Sequence, residues 1–169
     1  MKLHSDITIN GKKYRKGNVI SGYKIYPFFL IHMFMFGGSG FLMAYADEPA
    51  PVAFLYAHGG FAILIYTIFY ITMFGMDEVK WMFTNAGLGL LGIYTQVDWI
   101  LAVFGKDIGD YPLYVHVIPF LYFVLYTFLL RQFILDVTNS REDEEKQHKA
   151  EHRYVVGSIL IYSVTYILF

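Results

Sequence analysis

The feature that most constrains this chain is a set of apolar runs long enough to cross a lipid bilayer. The clearest of them extends from Val52 to Gly75 and contains no charged residue. At about 1.5 Å per residue, a helix of that length crosses a hydrocarbon core about 30 Å thick. Hydrophobic residues make up 56% of the chain, which is more apolar surface than one small water-soluble core can bury. The sequence therefore predicts an all-α integral membrane protein.

Five such runs are predicted to be transmembrane helices. The first four are expected to form an up-down-up-down bundle within residues 25–136, and the fifth run follows a charged connector at 137–153. Residues 1–24, ahead of the bundle, are polar and basic. The predicted spans are 27–46, 52–75, 81–104, 112–136 and 154–169.

The distribution of positive charge predicts the orientation of these spans. When the chain is threaded in order, all of its 13 Lys and Arg residues except Lys106 fall on the side of the N-terminus. Because cytoplasmic segments carry the excess of Lys and Arg, we expect the N-terminus in the cytoplasm and the C-terminus outside. The expected location is the inner membrane of a bacterium or archaeon.

The basic N-terminal segment contains the signal of a β-hairpin. The pair Asn10-Gly11 separates two short runs, Ile7-Thr8-Ile9 and Lys12-Lys13-Tyr14. Asn-Gly tolerates the positive φ angles that a two-residue hairpin turn requires. The basic residues that follow either set the orientation of the first span or contact anionic headgroups.

Two histidines lie at a matched depth in the predicted bundle. His58 is in the second span and His116 is in the fourth, and both spans run in the same direction. The second and fourth helices of such a bundle are diagonal neighbours whose inward side chains face each other. This placement predicts that His58 and His116 ligate the iron of one haem b near the outer face. The alternative is that each imidazole only hydrogen-bonds to a neighbouring side chain.

Small residues near this level would let a flat macrocycle approach the backbone. Gly37 and Gly40 in the first span, with Gly59 and Gly60 in the second, are therefore predicted to line the haem site. The same glycines would equally allow close packing between helices. Both interpretations stay open from the sequence.

Asp98 and His32 are the other polar side chains of interest inside the predicted spans. Asp98 could complete a two-His, one-carboxylate metal site, orient one imidazole through its other nitrogen, or reach headgroup water. His32 lies toward the cytoplasmic end of the first span, where it could line a quinone or proton entry or act as a structural histidine.

The chain lacks the residues that several classes of function require. The chain has no Cys, so thiolate metal sites, iron–sulfur clusters and disulfides are excluded. It contains no glycine-rich phosphate loop, no nucleophile elbow and no HExxH motif, which argues against nucleotide-driven and protease mechanisms. The basic N-terminus alone is too little for nucleic-acid binding, so no nucleic-acid partner is expected.

With histidines on its second and fourth helices, the predicted bundle resembles the small membrane b-type cytochromes that serve as quinone-linked subunits of bacterial oxidoreductases. The resemblance covers about residues 27–136 and is architectural, and the chain departs from the usual two-haem pattern because it lacks a second buried histidine pair. It implies electron transfer through one haem b, linked to the quinone pool.

Two other functions are compatible with the sequence. One is a non-catalytic accessory subunit of a larger membrane complex, which would pack through its glycine-rich helix faces. The other is a small proton-coupled transporter or channel that uses His58, Asp98 and His116 as a relay. The expected partners are the lipid bilayer and either other membrane subunits or further copies of this chain.

Overall fold

The computed structural model describes residues 2–9, 11–48 and 50–168. Within these residues the chain forms six α-helices, a short 3-10 helix at Ile108–Asp110 and two short strands. The strands are β1 (Ile7–Ile9) and β2 (Lys12–Tyr14), and the helices are α1 (Gly22–Ala44), α2 (Val52–Phe74), α3 (Met76–Leu88), α4 (Leu90–Val103), α5 (Leu113–Val137) and α6 (Glu144–Leu168). The protein is therefore mostly helical, as the sequence predicts.

Three helices of the described chain are long and apolar enough to cross a membrane, namely α1, α2 and α5. The pair α3 and α4 meets the same test when taken together, but the two helices are bent by 74°. The predicted third span over 81–104 is therefore interrupted by a bend, and its crossing of the membrane stays a prediction. The bend falls at Gly89, where glycines at 87, 89 and 92 weaken the helix by about 1 kcal/mol each relative to Ala.

The bent pair α3–α4 runs the length of the bundle. At one end, which we call the hairpin end, the N–H of His4 donates to the carbonyl of Thr72, close to where α3 begins. At the opposite end, the loop end, Lys106 follows α4 and pairs with Asp47, which follows α1, at 2.6 Å. Because α3 starts at one end and α4 finishes at the other, the pair is a candidate for one broken span.

The central helix of the structure is α5. Half of the most apolar stretch of α5 is buried inside the protein, whereas the buried share of that stretch is 17% in α1 and 22% in α2. Its most extensive packing is with α1, and it also contacts α2, α3, α4 and α6. The largest fully buried side chains include Tyr26, Met33, Leu55, Tyr70, Leu101 and Leu125.

Helix α6 is continuous across the boundary that the sequence suggests between a connector and a fifth span. It begins after Asp143, whose carboxylate accepts the N–H of Lys146 at 3.1 Å. Charged residues occupy its N-terminal half and apolar residues its C-terminal half. The crossing of a membrane by 154–169 stays a prediction.

The N-terminal strands pair antiparallel, with Ile7 opposite Tyr14. Asn10, on which the turn prediction rests, lies outside the described residues. Leu3 is buried, and its N–H donates to the carbonyl of Asn18 at 3.0 Å. The segment ahead of α1 is thereby folded against the hairpin end.

Candidate functional site

His116 lies in a hydrogen-bonded cluster at the loop end of α5, where it is only 5% exposed. Its Nε2 is 3.1 Å from the carbonyl oxygen of Tyr111, and its Nδ1 is 2.9 Å from the hydroxyl of Tyr45. A carbonyl can only accept, so Nε2 must carry the proton and the Tyr45 hydroxyl must donate to Nδ1. The neutral imidazole is thus satisfied at both nitrogens by protein groups.

This cluster continues to an ion pair at the surface of the loop end. The Tyr111 hydroxyl donates to the carbonyl of Tyr45 at 3.1 Å, and the ammonium of Lys106 lies 3.5 Å from that hydroxyl. The hydrogen bond between Lys106 and Asp47 lowers the pKa of Asp47 and raises the pKa of Lys106. Tyr45 is itself buried. The cluster joins the end of α1 to the start of α5.

His58 lies elsewhere, in a groove between α1 and α2 that it shares with His32. Its ring stacks on Phe54, with centroids 5.9 Å apart, and lies 6.1 Å from the ring of Phe36. The ring of His32 lies 6.0 Å from the same Phe36 and 4.4 Å from Phe28. Phe36 therefore lies next to both imidazoles, in a row of aromatic rings along the groove.

The groove between α1 and α2 has a volume of about 500 Å³. The rest of its lining is apolar or aromatic and consists of Phe29, Phe61, Ala62, Ile65, Tyr66 and Phe69. Within the part of the chain that the structure describes, neither His32 nor His58 forms a hydrogen bond, and both contact aromatic rings. His32 is exposed and His58 half-buried, so both can be reached from outside the protein.

The predicted haem ligands are therefore not brought together. The prediction needs α2 and α5 to face each other across the bundle axis, but these helices pack directly on one another. A side chain at Gly59 would overlap with Ile118, two positions beyond His116. Together with the two occupied nitrogens of His116, this packing does not fit a bis-histidine haem. Haem b stays a prediction from the sequence that the geometry does not support.

The glycines predicted to line the haem site divide into two groups. A Cβ atom at Gly37 or Gly40 would lie 3.1 or 3.7 Å from the ring of Tyr122 on α5, so these two glycines allow α1 to pack closely. Gly59 does the same for α2. Gly60 faces open space. The arrangement supports helix packing, the second of the two interpretations that the sequence leaves open.

Asp98 is half-buried on α4 and forms no hydrogen bond with His58 or His116 among the described residues. Those residues also contain no group of three or more His, Cys, Asp or Glu side chains placed to hold a metal ion. The structure therefore supports neither the two-His, one-carboxylate site nor a relay through these three side chains.

A polar network at the hairpin end joins α1, α3 and α5, and the sequence does not reveal it. Gln132 is fully buried; its amide oxygen accepts from Arg141 at 2.6 Å and its amide nitrogen donates to Glu78 at 3.2 Å. Arg141 also donates to Asp136 at 2.7 Å, and the hydroxyl of Tyr26 donates to the other oxygen of Asp136. Tyr26 and Glu78 lie far along the chain from Gln132, Asp136 and Arg141, so only tertiary packing brings them together.

The same network extends to α6 through Arg131. Its guanidinium donates twice to one carboxylate oxygen of Glu151, from Nε at 3.1 Å and from Nη2 at 2.5 Å. Gln147 donates to that oxygen at 3.2 Å. Burial opposes ionisation of Glu151, but the hydrogen bonds from Gln147 and Arg131 outweigh burial and lower its pKa. These contacts attach the charged half of α6 to α5.

No protein-family model, no curated protein sequence and no solved structure matches this chain.

Proposed function

We propose that this membrane protein binds a quinone-type molecule, a flat lipid-soluble ring with carbonyl oxygens, in the groove between α1 and α2. The observation that carries the proposal is the pair His32 and His58. Both imidazoles lack a hydrogen-bond partner among the described residues, and both belong to helices apolar enough to span a bilayer. A polar, ionisable side chain in that position is costly unless it serves a ligand or a partner.

The chemistry of the groove matches such a ring. Each neutral imidazole offers one N–H donor, and a quinone presents carbonyl acceptors on opposite edges of its ring. Phe36 lies about 6 Å from each imidazole, so a ring stacked on Phe36 is within reach of both. The volume of about 500 Å³ lies in the usual range of small-molecule sites.

Quinone binding would place this protein in membrane electron transfer, the class predicted from the sequence, without haem ligation by His58 and His116. A visible spectrum of the dithionite-reduced protein distinguishes quinone binding without haem from haem ligation. The protein is purified from cells that are supplied with haem. We expect no haem α-band. A band that disappears in His116→Ala would support the haem prediction instead.

The binding experiment is a titration of the detergent-purified protein with a short-chain quinone, followed by calorimetry. We expect His32→Phe and His58→Phe to weaken binding by about ten-fold each, the value of one lost hydrogen bond of about 1.4 kcal/mol. The control is His152→Phe, which changes an exposed histidine on α6. Equal binding by wild type and both groove variants would contradict the proposal, as would equal binding of the dimethyl ether of the quinol, which has no carbonyl acceptors.

We also infer an orientation in which the hairpin end faces the cytoplasm, with 154–169 as a fifth span. The support is the distribution of Lys and Arg, because the connections at the loop end carry only Lys106. Lys106 itself is paired with Asp47, which leaves that end with little free positive charge.

A second candidate function, an accessory subunit of a larger membrane assembly, is favoured by the exposed bend at Gly89. The N–H of Gly89 bonds to Asn85 and the carbonyl of Gly89 accepts from Ile93. The amides of residues 90–92 lie at the start of α4, where a helix has no internal acceptors, and Gly89 supplies no side-chain cap. Hydrocarbon does not tolerate open backbone groups, so a neighbouring protein would have to cover them.

This candidate is tested by cross-linking through an introduced cysteine, since the chain has none of its own. Leu91→Cys places a thiol beside the bend, where Leu91 is 85% exposed, and Leu64→Cys on α2 is the control. Oxidation of native membranes should give dimers if the partner is a second copy, and a thiol-linked photo-cross-linker should give heavier adducts if it is another subunit. Equal yields at the two positions, or none at Leu91, would contradict the idea.

A further inference from the structure

A cleft of about 630 Å³ lies between the bent pair α3–α4 and the helices α5 and α6. It is separate from the groove between α1 and α2, and its two ends differ in character. The mouth, at the hairpin end, is lined by charged and amide side chains that include Glu78, Arg131, Gln147 and Glu151. The inner part of the cleft, toward the bend at Gly89, is lined mostly by apolar side chains, among them Trp81, Met82, Ile93, Val124, Phe128 and Val155.

The polar groups at the mouth are only partly used. Arg131 directs Nε and Nη2 at Glu151, and its Nη1 forms an ion pair with Glu78 at 3.9 Å, a distance too long for a hydrogen bond. One oxygen of Glu78 accepts from Gln132, and its other oxygen has no hydrogen bond within the described residues. The mouth therefore offers one open cationic donor and one open anionic acceptor side by side.

We propose that this cleft binds a phospholipid whose zwitterionic head carries a primary ammonium, the ethanolamine class. The phosphate would accept from Nη1 of Arg131 and the ammonium would donate to the open oxygen of Glu78. An acyl chain would follow the apolar walls toward Gly89. The proposal does not depend on quinone binding in the other groove.

The arrangement of charge selects against other lipid heads. An anionic head without an ammonium faces the carboxylates of Glu78 and Glu151 with only one guanidinium between them. A choline head has no N–H and cannot donate to Glu78. A head that carries both an accepting phosphate and a donating ammonium matches both open groups.

The experiment uses the full chain, stripped of lipid in detergent, with phosphatidylethanolamine, phosphatidylglycerol and phosphatidylcholine of identical acyl chains. Binding is measured by native mass spectrometry and by the rise in the unfolding temperature. We expect the ethanolamine lipid to bind about ten-fold more tightly than the other two, which corresponds to one charge-assisted hydrogen bond. Soluble phosphoethanolamine should give no measurable stabilisation, because it lacks the acyl chain.

The matched variants are Glu78→Gln and Asp77→Asn, which neutralise neighbouring carboxylates on α3. Glu78→Gln should abolish the preference for ethanolamine, and Asp77→Asn, whose side chain is fully exposed, should keep it. If Glu78→Gln does not fold, the ethanolamine lipid and its N-trimethyl analogue are made to compete for the wild-type protein. Preferential binding of the ethanolamine lipid is then expected. Equal affinity for the glycerol or choline lipid, a preference retained in Glu78→Gln, or equal binding of soluble phosphoethanolamine would overturn the proposal.

Discussion

The role of His116 follows from the two atoms that its ring nitrogens face. A carbonyl on one side fixes the proton on Nε2, and the hydroxyl of Tyr45 on the other side occupies the lone pair of Nδ1. An imidazole held in this way joins α1 to α5 and has no free lone pair for a metal ion. His58, with no such partners among the described residues, is free to serve a ligand.

We predict that Tyr45→Phe lowers the free energy of unfolding by about 1–3 kcal/mol, because it leaves the buried Nδ1 of His116 without a donor. The control is Tyr56→Phe, which removes an exposed hydroxyl that donates to the carbonyl of Tyr114. Denaturation in detergent measures both variants. A loss in Tyr45→Phe no larger than in Tyr56→Phe would show that the hydrogen bond to His116 contributes little.

For a single residue, the sequence predicts how deep the side chain lies along its helix but not which way the side chain points. It places His58 and His116 at a similar level, which is a matter of counting residues along a helix. Whether each side chain points at the bundle or at lipid depends on the rotation of its helix, and that rotation is set by packing contacts such as those of Gly59 with Ile118. The apolar residues surround α2 on all sides and do not mark a buried face.

Among the elements, α2 packs on α5 through a glycine, because a Cβ atom at Gly59 would overlap with the side chain of Ile118. Gly59 and Gly60 are adjacent in α2, but only Gly59 faces a neighbour, the side chain of Ile118. The pair offers a test of helix packing in which the change in helix propensity is the same at both positions.

Gly59→Ala should destabilise the protein by about 1–3 kcal/mol, since the added methyl group must displace Ile118. Gly60→Ala should be neutral or stabilising by up to about 1 kcal/mol, because alanine is the better helix former and nothing lies within 4 Å. Unfolding in detergent measures both. The reverse order of stabilities would show that Ile118 moves aside freely.

The attachment of α6 should depend on pH. The pKa of Glu151 is lowered from its ordinary value of 4.5. Its bond with Arg131 therefore contributes fully above that value and is lost as the pH falls through the lowered pKa. We predict that acid below pH 4.5 detaches α6 from α5 before the bundle unfolds.

Fluorescence of Trp81, which lines the cleft beside α6, measures this transition in a Trp99→Phe background. Glu151→Gln should remove the acid transition. Glu145→Gln, which changes a carboxylate paired with Lys149 on the exposed side of α6, should leave it in place. A transition that persists in Glu151→Gln would assign it to another group.

The spanning helices themselves are the part of the structure that the sequence predicts well. Long runs without charge mark α1, α2 and α5, and the Pro and Gly residues between the runs mark their ends. The bend at Gly89 is harder to predict, because glycines are common in straight membrane helices. Whether three of them bend a span depends on what packs against it.

At the scale of the whole molecule, the prediction is one of orientation. Single cysteines replacing Thr8, at the hairpin end, and Glu48, at the loop end, should react with a membrane-impermeant thiol reagent from opposite sides of the membrane. Position 8 should react only from the cytoplasmic side. The reagent has no native target, because the chain contains no Cys.

The control is Asp107→Cys, next to the partner of Asp47, which should react from the same side as position 48. A reporter fused to the C-terminus should lie outside if 154–169 crosses the membrane. Labelling of positions 8 and 48 from one side would contradict the crossing of α1, and labelling of positions 48 and 107 from opposite sides would contradict one broken span formed by α3 and α4. A cytoplasmic reporter would contradict the fifth span.

The order of the helices along the chain bears on how the protein is made. α1 leaves the ribosome first, yet α5, on which it packs most extensively, is the last of the helices that meet the test for a membrane span. The hydroxyl of Tyr26 likewise lacks its acceptors, the carbonyl of Gln132 and the carboxylate of Asp136, until α5 is synthesised. During translation, α1 and α2 therefore stand in the bilayer as a helix pair without a core, with their glycine faces uncovered. A chain that stalls before α5 would present those faces to chaperones and proteases of the membrane.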